Sequence, residues 1–394
     1  MRKINLILLS LALVFPFERL SYFLLIFFFI VEIILSGKSF IKKLEWKTFF
    51  NPVVLLFYAT LILMKLRDPI GGWDRDLTLF LFPIYFSVRK LKKNEILLIL
   101  KSFVLLLLCS LIFLFIYEFV LQFVLNNYLN LWKLEEHYNN YRIFYFFHII
   151  SERVGFHHIY LSLYLFIGFI AGHYLIYSNS LNTKWVKFVK LSMMIFLIFT
   201  FLSISRMSII CFSIYGLFMV FKLFQKRINK RYLIFILSIC SLIIILSSQS
   251  SVKNKFYNIS NDSRIYIFKT SYQLGMESYL KGHGMQKGRE KLIEKQKKIG
   301  NSVLYTNAHN QYLDYFVSGG IIMLVIFLII TFRLIVVFYR GKAYLGLAFI
   351  LFFLLQCFTE ALMERFRGIV LFSFFVSLIY QDISNDKKRI SFFK

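Results

Sequence analysis

Runs of about 20 apolar residues recur from one end of this chain to the other, and each is near the length needed to cross a hydrocarbon core roughly 30 Å thick. Backbone polar groups inside such a core have to be satisfied within the segment, which makes the runs helices. Composition agrees. Of 394 residues 59% are hydrophobic, 49 are Phe and only 17% are charged, with a mean hydropathy of +0.68. An ordinary soluble domain is about 45–50% apolar. Disorder and a single soluble enzyme are thereby excluded, and the expected fold is an all-α, polytopic integral membrane protein. Twelve spans are predicted, near 4–16, 20–36, 53–65, 77–88, 96–124, 158–178, 188–204, 207–224, 232–248, 317–338, 343–358 and 368–380. The opening Met1-Arg2-Lys3 and Ile4–Val14 have the charge and apolar regions of a signal peptide. Phe15-Pro16-Phe17-Glu18-Arg19 offers no small-residue cleavage site, so the run is read as the first span.

The net charge of +27 is informative through its placement. With the N-terminus in the cytoplasm, the inside segments hold 24 Lys and Arg and the short outside loops hold 10, which puts both termini inside. Of the inside cations 18 are Lys, whereas 8 of the 10 outside are Arg: Arg19, Arg67, Arg75, Arg142, Arg153, Arg206, Arg365 and Arg367. Lys suffices for anionic headgroups, while Arg suits bidentate phosphate or carboxylate binding. An anionic ligand on the outer face is the expectation, and no nucleic-acid partner is read from the charge. The expected organisation is an N-terminal transmembrane bundle over 1–249, one large extracytoplasmic loop over 250–316, and C-terminal transmembrane helices with a basic tail over 317–394. Helices near 262–274 and 287–298 are predicted inside the loop, with Gly282, Gly284 and Gly300 as breaks. Loops of this length are usually functional.

Several residues could carry chemistry. His309, in Thr306-Asn307-Ala308-His309-Asn310-Gln311, stands at the approach to an apolar helix and is either a general base near neutral pH or an interfacial His bonded to loop backbone. Arg206, in Ser203-Ile204-Ser205-Arg206-Met207-Ser208, sits in a tight turn between two apolar runs, and either snorkels to the interface or meets a ligand. Arg264, in Asn261-Asp262-Ser263-Arg264, opens a loop helix and is a ligand for an anion or an ion-pair partner of Asp262. Asp74-Arg75-Asp76 has the spacing of a metal-binding DxD, but Arg75 can neutralise the carboxylates. His157-His158 and His148 lack a carboxylate or Cys at ligand spacing, and packing is the expected role. Glu118 and Lys101 lie in the long fifth span, where Lys101 can snorkel. Cys109, Cys211, Cys240 and Cys357 all fall in apolar runs and read as small buried hydrophobes. The chain has no Walker A motif, GxSxG or Rossmann fingerprint.

In combination these residues resemble the O-antigen ligase and O-antigen polymerase superfamily. Gly282-His283-Gly284-Met285, a charged helix, and His309-Asn310 separated by nine residues from Gly320 look like that family's G-x-G and H-N-x9-G. Ser205-Arg206 resembles its S-R motif, with Met207 where the family often has Gly, and Arg264 resembles its second key arginine. Asp76–Pro83 and Tyr160–Tyr164 look like further family segments.

The resemblance implies a GT-C-like, inverting membrane glycosyltransferase that uses neither a cofactor nor a metal. Its donor would be a glycan on undecaprenyl pyrophosphate. Its acceptor would be a sugar hydroxyl, on lipid A-core for a ligase or on a second lipid-linked glycan for a polymerase, with ligase the first reading. His309 would be the catalytic base, Arg206 and Arg264 the pyrophosphate ligands, and Asn310, Gly282, Gly284 and Gly320 the supporting motif. The site would face the periplasm or cell exterior from a bacterial inner (cytoplasmic) membrane. A lipid-linked glycan flippase or other transporter is the alternative of another class. Transporters often show internal repeats and Gly/Pro-broken helices at midplane, whereas of the four prolines here Pro16, Pro52 and Pro69 fall near span ends and only Pro83 falls within a span.

Overall fold

A computed structural model describes residues 2–37, 44, 46–66, 68, 73–126, 156–203, 205–224, 263–298 and 304–385. Among the described residues the regular elements are all helical. The helices are α1 (Arg2–Val14), α2 (Glu18–Ser36), α3 (Pro52–Thr60, continued by a π-helical turn over Leu61–Lys65), α4 (Thr78–Val88), α5 (Lys93–Asn126), α6 (His158–Tyr177), α7 (Thr183–Leu202), α8 (Arg206–Phe224), α9 (Ser263–Glu277), α10 (Met285–Lys298), α11 (Gln311–Arg340), α12 (Tyr344–Gln356) and α13 (Phe366–Asn385). Eleven of the twelve apolar segments are therefore helical, and the ninth, 232–248, lies outside the described residues. Among the described residues four helices are long and apolar enough to cross a membrane: Lys93–Tyr117, His158–Tyr177, Gln311–Arg340 and Phe366–Ile383.

Local chemistry sets several helix starts. Asn51 accepts a hydrogen bond from Val53 N at 3.0 Å, with Pro52 at the first helical position of α3, where its missing N–H costs nothing. Asn182 caps α7 through Trp185 N at 3.0 Å. Asn310 does the same for α11, accepting from Tyr312 N at 2.9 Å and Leu313 N at 3.0 Å. That cap starts the helix at Gln311, earlier than the 317 read from hydropathy, because Gln311, Tyr312 and Asp314 are polar positions that a purely apolar criterion passes over.

α6 is buried over most of its length and packs on α5, α7, α8 and α12. Aromatic pairs join these helices: Phe166 of α6 stacks on Phe352 of α12 at 3.7 Å, Phe103 of α5 and Tyr164 of α6 have ring centroids 6.3 Å apart, and Phe103 also meets Phe375 of α13 edge-on at 5.2 Å. Such pairs contribute about 0.5–1.5 kcal/mol each beyond area burial. By contrast, Ile322, Val325, Ile329 and Phe332 form an exposed stripe along α11, the face a membrane helix turns to lipid.

Two features depart from the sequence reading. Arg367, counted there among arginines facing outward, is 2% exposed. It donates to Pro16 O at 2.7 Å and Leu13 O at 3.5 Å and lies over the Phe156 ring at 4.0 Å. It satisfies orphan carbonyls at the C-terminal end of α1 and is a structural residue. Cys109, expected to be buried, is exposed, because it faces away from the helices that pack on α5; Cys211 and Cys357 are buried thiols, and Cys240 lies outside the described residues. Lys101, by contrast, sits over the Trp185 ring at 3.6 Å, where a cation is stabilised by the ring's π face.

Candidate functional site

The turn between α12 and α13, residues 357–361, gathers the ends of several helices. Cys357 O accepts from Gln311 N at 2.8 Å, and Phe358 O accepts from Asn310 Nδ2 at 3.0 Å, which seats the N-terminus of α11. Ala361 O accepts from the Tyr160 hydroxyl at 3.5 Å, near the start of α6. Gln356, the last residue of α12, donates to Ser208 Oγ at 2.7 Å, and Ser208 in turn contacts Ser205 Oγ at 2.8 Å and Ser162 Oγ at 2.6 Å. The Ser205-Arg206 corner at the start of α8 is thereby tied to the same turn. Each of α6, α8 and α11 brings its N-terminus, the positive end of its dipole, to this region.

His309 sits directly before the α11 cap with φ +45°, a backbone region that a non-glycine residue enters only under constraint. Its own N–H donates to Asn307 Oδ1 at 3.1 Å, and Tyr305 packs edge-on against the imidazole at 5.1 Å. Its Nδ1 meets Glu360 Oε2 at 3.2 Å; the imidazole is 20% exposed and Glu360 only 4%. Burial by itself would raise the Glu360 carboxyl. The hydrogen bond and charge of His309, with smaller contributions from His157 and Arg264, outweigh it and hold the group below the usual carboxylate range. An ionised Glu360 can only accept, so Nδ1 carries the shared proton, and in the neutral imidazole Nε2 is then the lone-pair nitrogen.

Arg264 is half-buried in the first turn of α9, and its charge acts on that same Glu360 carboxylate. Arg206 is the first residue of α8; its side chain lies outside the described residues. His157 accepts from Ile159 N at 3.4 Å at the start of α6, with the His158 ring 4.3 Å away. His148, Arg67 and Arg142, and the side chains of Asp74 and Glu118, lie outside the described residues.

The motif glycines form a joint. Gly320 breaks α11 at φ +70°, ψ −170°, a conformation open essentially to glycine alone. The carbonyls freed by the break, Val317 O and Ser318 O, accept from His283 N and Gly284 N at 2.8 Å each, while Ile321 N donates to Tyr279 O at 2.8 Å. A Cβ on Gly282, itself at φ +65°, would lie 2.5 Å from Gly320 N. G-x-G and the distal glycine of H-N-x9-G thus close on each other and fix the turn between α9 and α10 against α11. His283 is used in that turn, its Nε2 2.9 Å from Leu274 O and its Nδ1 3.2 Å from Lys291 Nζ; burial holds it below the ordinary histidine value.

A second polar cluster adjoins the first. Asp76 pairs with Lys65 at 2.5 Å and Arg75 at 3.0 Å, so this carboxylate of the DxD is already neutralised. Arg75 also donates to Glu364 O. Arg289 of α10 pairs with Glu364 at 2.9 Å, and Asp314 is buried beside it. Burial disfavours the Arg289 charge, but Glu364 outweighs it and raises the group above its ordinary value. Asp68 accepts from Lys287 N at 2.7 Å and caps α10 from across the chain. Removing the guanidinium in Arg289→Ala strands a buried carboxylate, and a loss of about 1–3 kcal/mol is expected. Limited proteolysis should then cut within 285–298 faster than in the parent, and unchanged cleavage would refute the docking role. Among the described residues no three His, Cys, Asp or Glu side chains form a metal-binding group.

Glu360, Glu364 and Arg289 were not singled out in the sequence. The available signal is two glutamates four apart between two apolar runs, since acidic groups close to hydrocarbon are costly unless paired.

The family model for O-antigen ligase matches residues 191–328 of the chain. That segment contains Arg206, Arg264, Gly282, Gly284, His309, Asn310 and Gly320, and ends before Glu360. No curated protein matches the chain.

Proposed function

As a member of the O-antigen ligase and O-antigen polymerase superfamily, the chain has a family activity to which its geometry can be fitted, and we propose that it transfers a glycan from undecaprenyl pyrophosphate to an acceptor hydroxyl on lipid A-core. The observation that carries this reading is the His309–Glu360 pair, with the Arg264 charge on the same carboxylate. In the proposed step Nε2 of His309 takes the acceptor hydroxyl's proton as the oxygen attacks the anomeric carbon. The bond from that carbon to the pyrophosphate oxygen breaks with inversion, and its electron pair leaves on the carrier lipid. Arg206 and Arg264 stabilise the charge that grows there. Both stand in the first turn of a helix, where the dipole adds to their field. Glu360 holds the imidazole in the tautomer that can accept the proton. The step uses no cofactor or metal.

The arrangement proposed around this site is a twelve-span, GT-C-like bundle divided as 1–249, 250–316 and 317–394. It sits in a bacterial inner membrane with both termini cytoplasmic and the site outside. Joining of two lipid-linked glycans by a polymerase would use the same His and Arg chemistry with a different acceptor. Surface glycolipid from a deletion strain separates these readings. A bare core with long glycan accumulating on the carrier supports the ligase. A core bearing a single repeat assigns the polymerase, and an unchanged ladder refutes both and returns the transporter reading. At the residue level, Arg264→Lys keeps charge but loses the bidentate fork. The donor KM is expected to rise while the protein remains in the membrane, and an unchanged donor KM would remove Arg264 from the pyrophosphate site.

A further inference from the structure

α9 is apolar on the side that packs inward, where Ile267, Leu274 and Gly275 are buried, and also on the side that faces away from the protein. Ile265, Tyr272, Met276 and Tyr279 follow at spacings of seven, four and three, which places them on one face of the helix and its continuing turn. All four are 45–54% exposed. Lys269 lies on the same face and is exposed. A water-facing helix seldom presents so ordered an apolar stripe.

The neighbouring elements say what covers it. The stripe ends at Tyr279, whose carbonyl accepts from Ile321 N. Ile322 there begins the exposed stripe of α11, which runs on through Val325, Ile329 and Phe332. That second stripe belongs to a helix long and apolar enough to cross a membrane. Tyr272 and Tyr279 also lean their rings on Phe316 of α11, at 6.3 and 5.9 Å, so the α9 stripe borders α11 and ends beside the start of its exposed stripe at the Gly320 joint. Composition changes along the path as it does through a bilayer boundary: aliphatic and Phe side chains on α11 give way to Tyr, Met and Lys on α9. Tyr is enriched at headgroup level, and Lys can keep its charge in the headgroups while its stem lies on apolar surface.

We propose that the outward stripe of α9 docks on the phospholipid leaflet at the membrane–water interface, with Tyr272 and Met276 at the acyl–headgroup boundary and Lys269 among anionic headgroups. α9 is then a membrane-seated element, and Arg264 in its first turn is carried by a helix held from two sides, by α11 and by lipid. The contact goes beyond the transferase reading and stands or falls independently of it.

The test is depth measurement by electron paramagnetic resonance on the full-length protein in nanodiscs containing phosphatidylglycerol. Nitroxides are placed by Tyr272→Cys and Met276→Cys in a chain whose four cysteines are replaced by alanine. Val325→Cys reports the lipid-facing reference and Glu290→Cys, exposed on α10, the water reference. The expected result is oxygen accessibility exceeding that to a nickel chelate at 272 and 276, as at 325, with the reverse at 290. Water-like values at 272 and 276 overturn the docking. Spin–spin broadening at either position assigns the stripe to a second copy of the chain and also overturns it. Water-like values that fall on adding a soluble oligosaccharide assign the stripe to a glycan, with the same consequence. None of these readouts depends on catalytic turnover.

Discussion

Replacing His309 by Ala is expected to lower glycan transfer by about 10²- to 10⁴-fold, the range that a positioned general base contributes, with the protein still inserted and folded. The side chain is half-buried and makes a single side-chain hydrogen bond, to Glu360 at 3.2 Å, so truncation removes chemistry more than packing. Glu360→Gln is the sharper companion experiment. It keeps shape but removes the charge that selects the Nδ1–H tautomer, and it should lose activity mainly in kcat. The two residues act as one unit, so the double variant His309→Ala/Glu360→Gln should fall little below His309→Ala alone. Full additivity would mean that Glu360 serves something other than His309. Full activity in His309→Ala would remove the base from the proposed mechanism. Transfer is best followed in membranes with a defined lipid-linked donor, so that turnover and donor KM are separated.

How much of this site could be read beforehand depends on distance along the chain. His309, Asn310 and Gly320 lie within twelve consecutive positions, and Gly282 and Gly284 stand just before them. Their spacing is itself the signal: the three glycines close on each other as a joint, and His309 and Asn310 sit at the start of α11 on the turn that follows α12. Glu360 lies 51 positions beyond His309 in a turn with no motif of its own, so its partnership is a product of packing. Arginines show the opposite error. Counting them by loop treated Arg367 as available for an anion, yet it caps α1; Arg75, counted with it, pairs with Asp76 as its place between two carboxylates allowed, and also donates to Glu364 O. A loop assignment gives a residue's address but not its partner. For the fold, hydropathy located the helices well because lipid demands long apolar runs. It misplaced the start of α11 because Asn310 sets that start by capping, not by hydrophobicity.

Gly320→Ala is expected to be strongly damaging although it adds only a methyl group. Its φ of +70° with ψ of −170° costs a non-glycine residue about 1–3 kcal/mol in backbone strain. The added methyl would also overlap the Leu280 carbonyl and crowd Lys281 N, and overpacking against unyielding backbone adds about 1–3 kcal/mol. The damage should spread because the joint is shared. Relaxing Gly320 into a regular helix would return Val317 O and Ser318 O to intrahelical donors and release His283 N and Gly284 N. The α9–α10 turn would then lose its seat on α11, and with it the placement of Arg264 relative to His309. Both thermal stability in detergent and transfer activity are therefore expected to collapse together. Gly216→Ala is the control, since a Cβ at Gly216 in α8 meets nothing within 4 Å and should stabilise by about 0.5–1 kcal/mol through backbone entropy. A Gly320→Ala protein that melts with the parent and retains transfer would show that the break in α11 is dispensable. Loss of transfer with unchanged melting would instead confine the role of the joint to aligning α9 with the His309 turn.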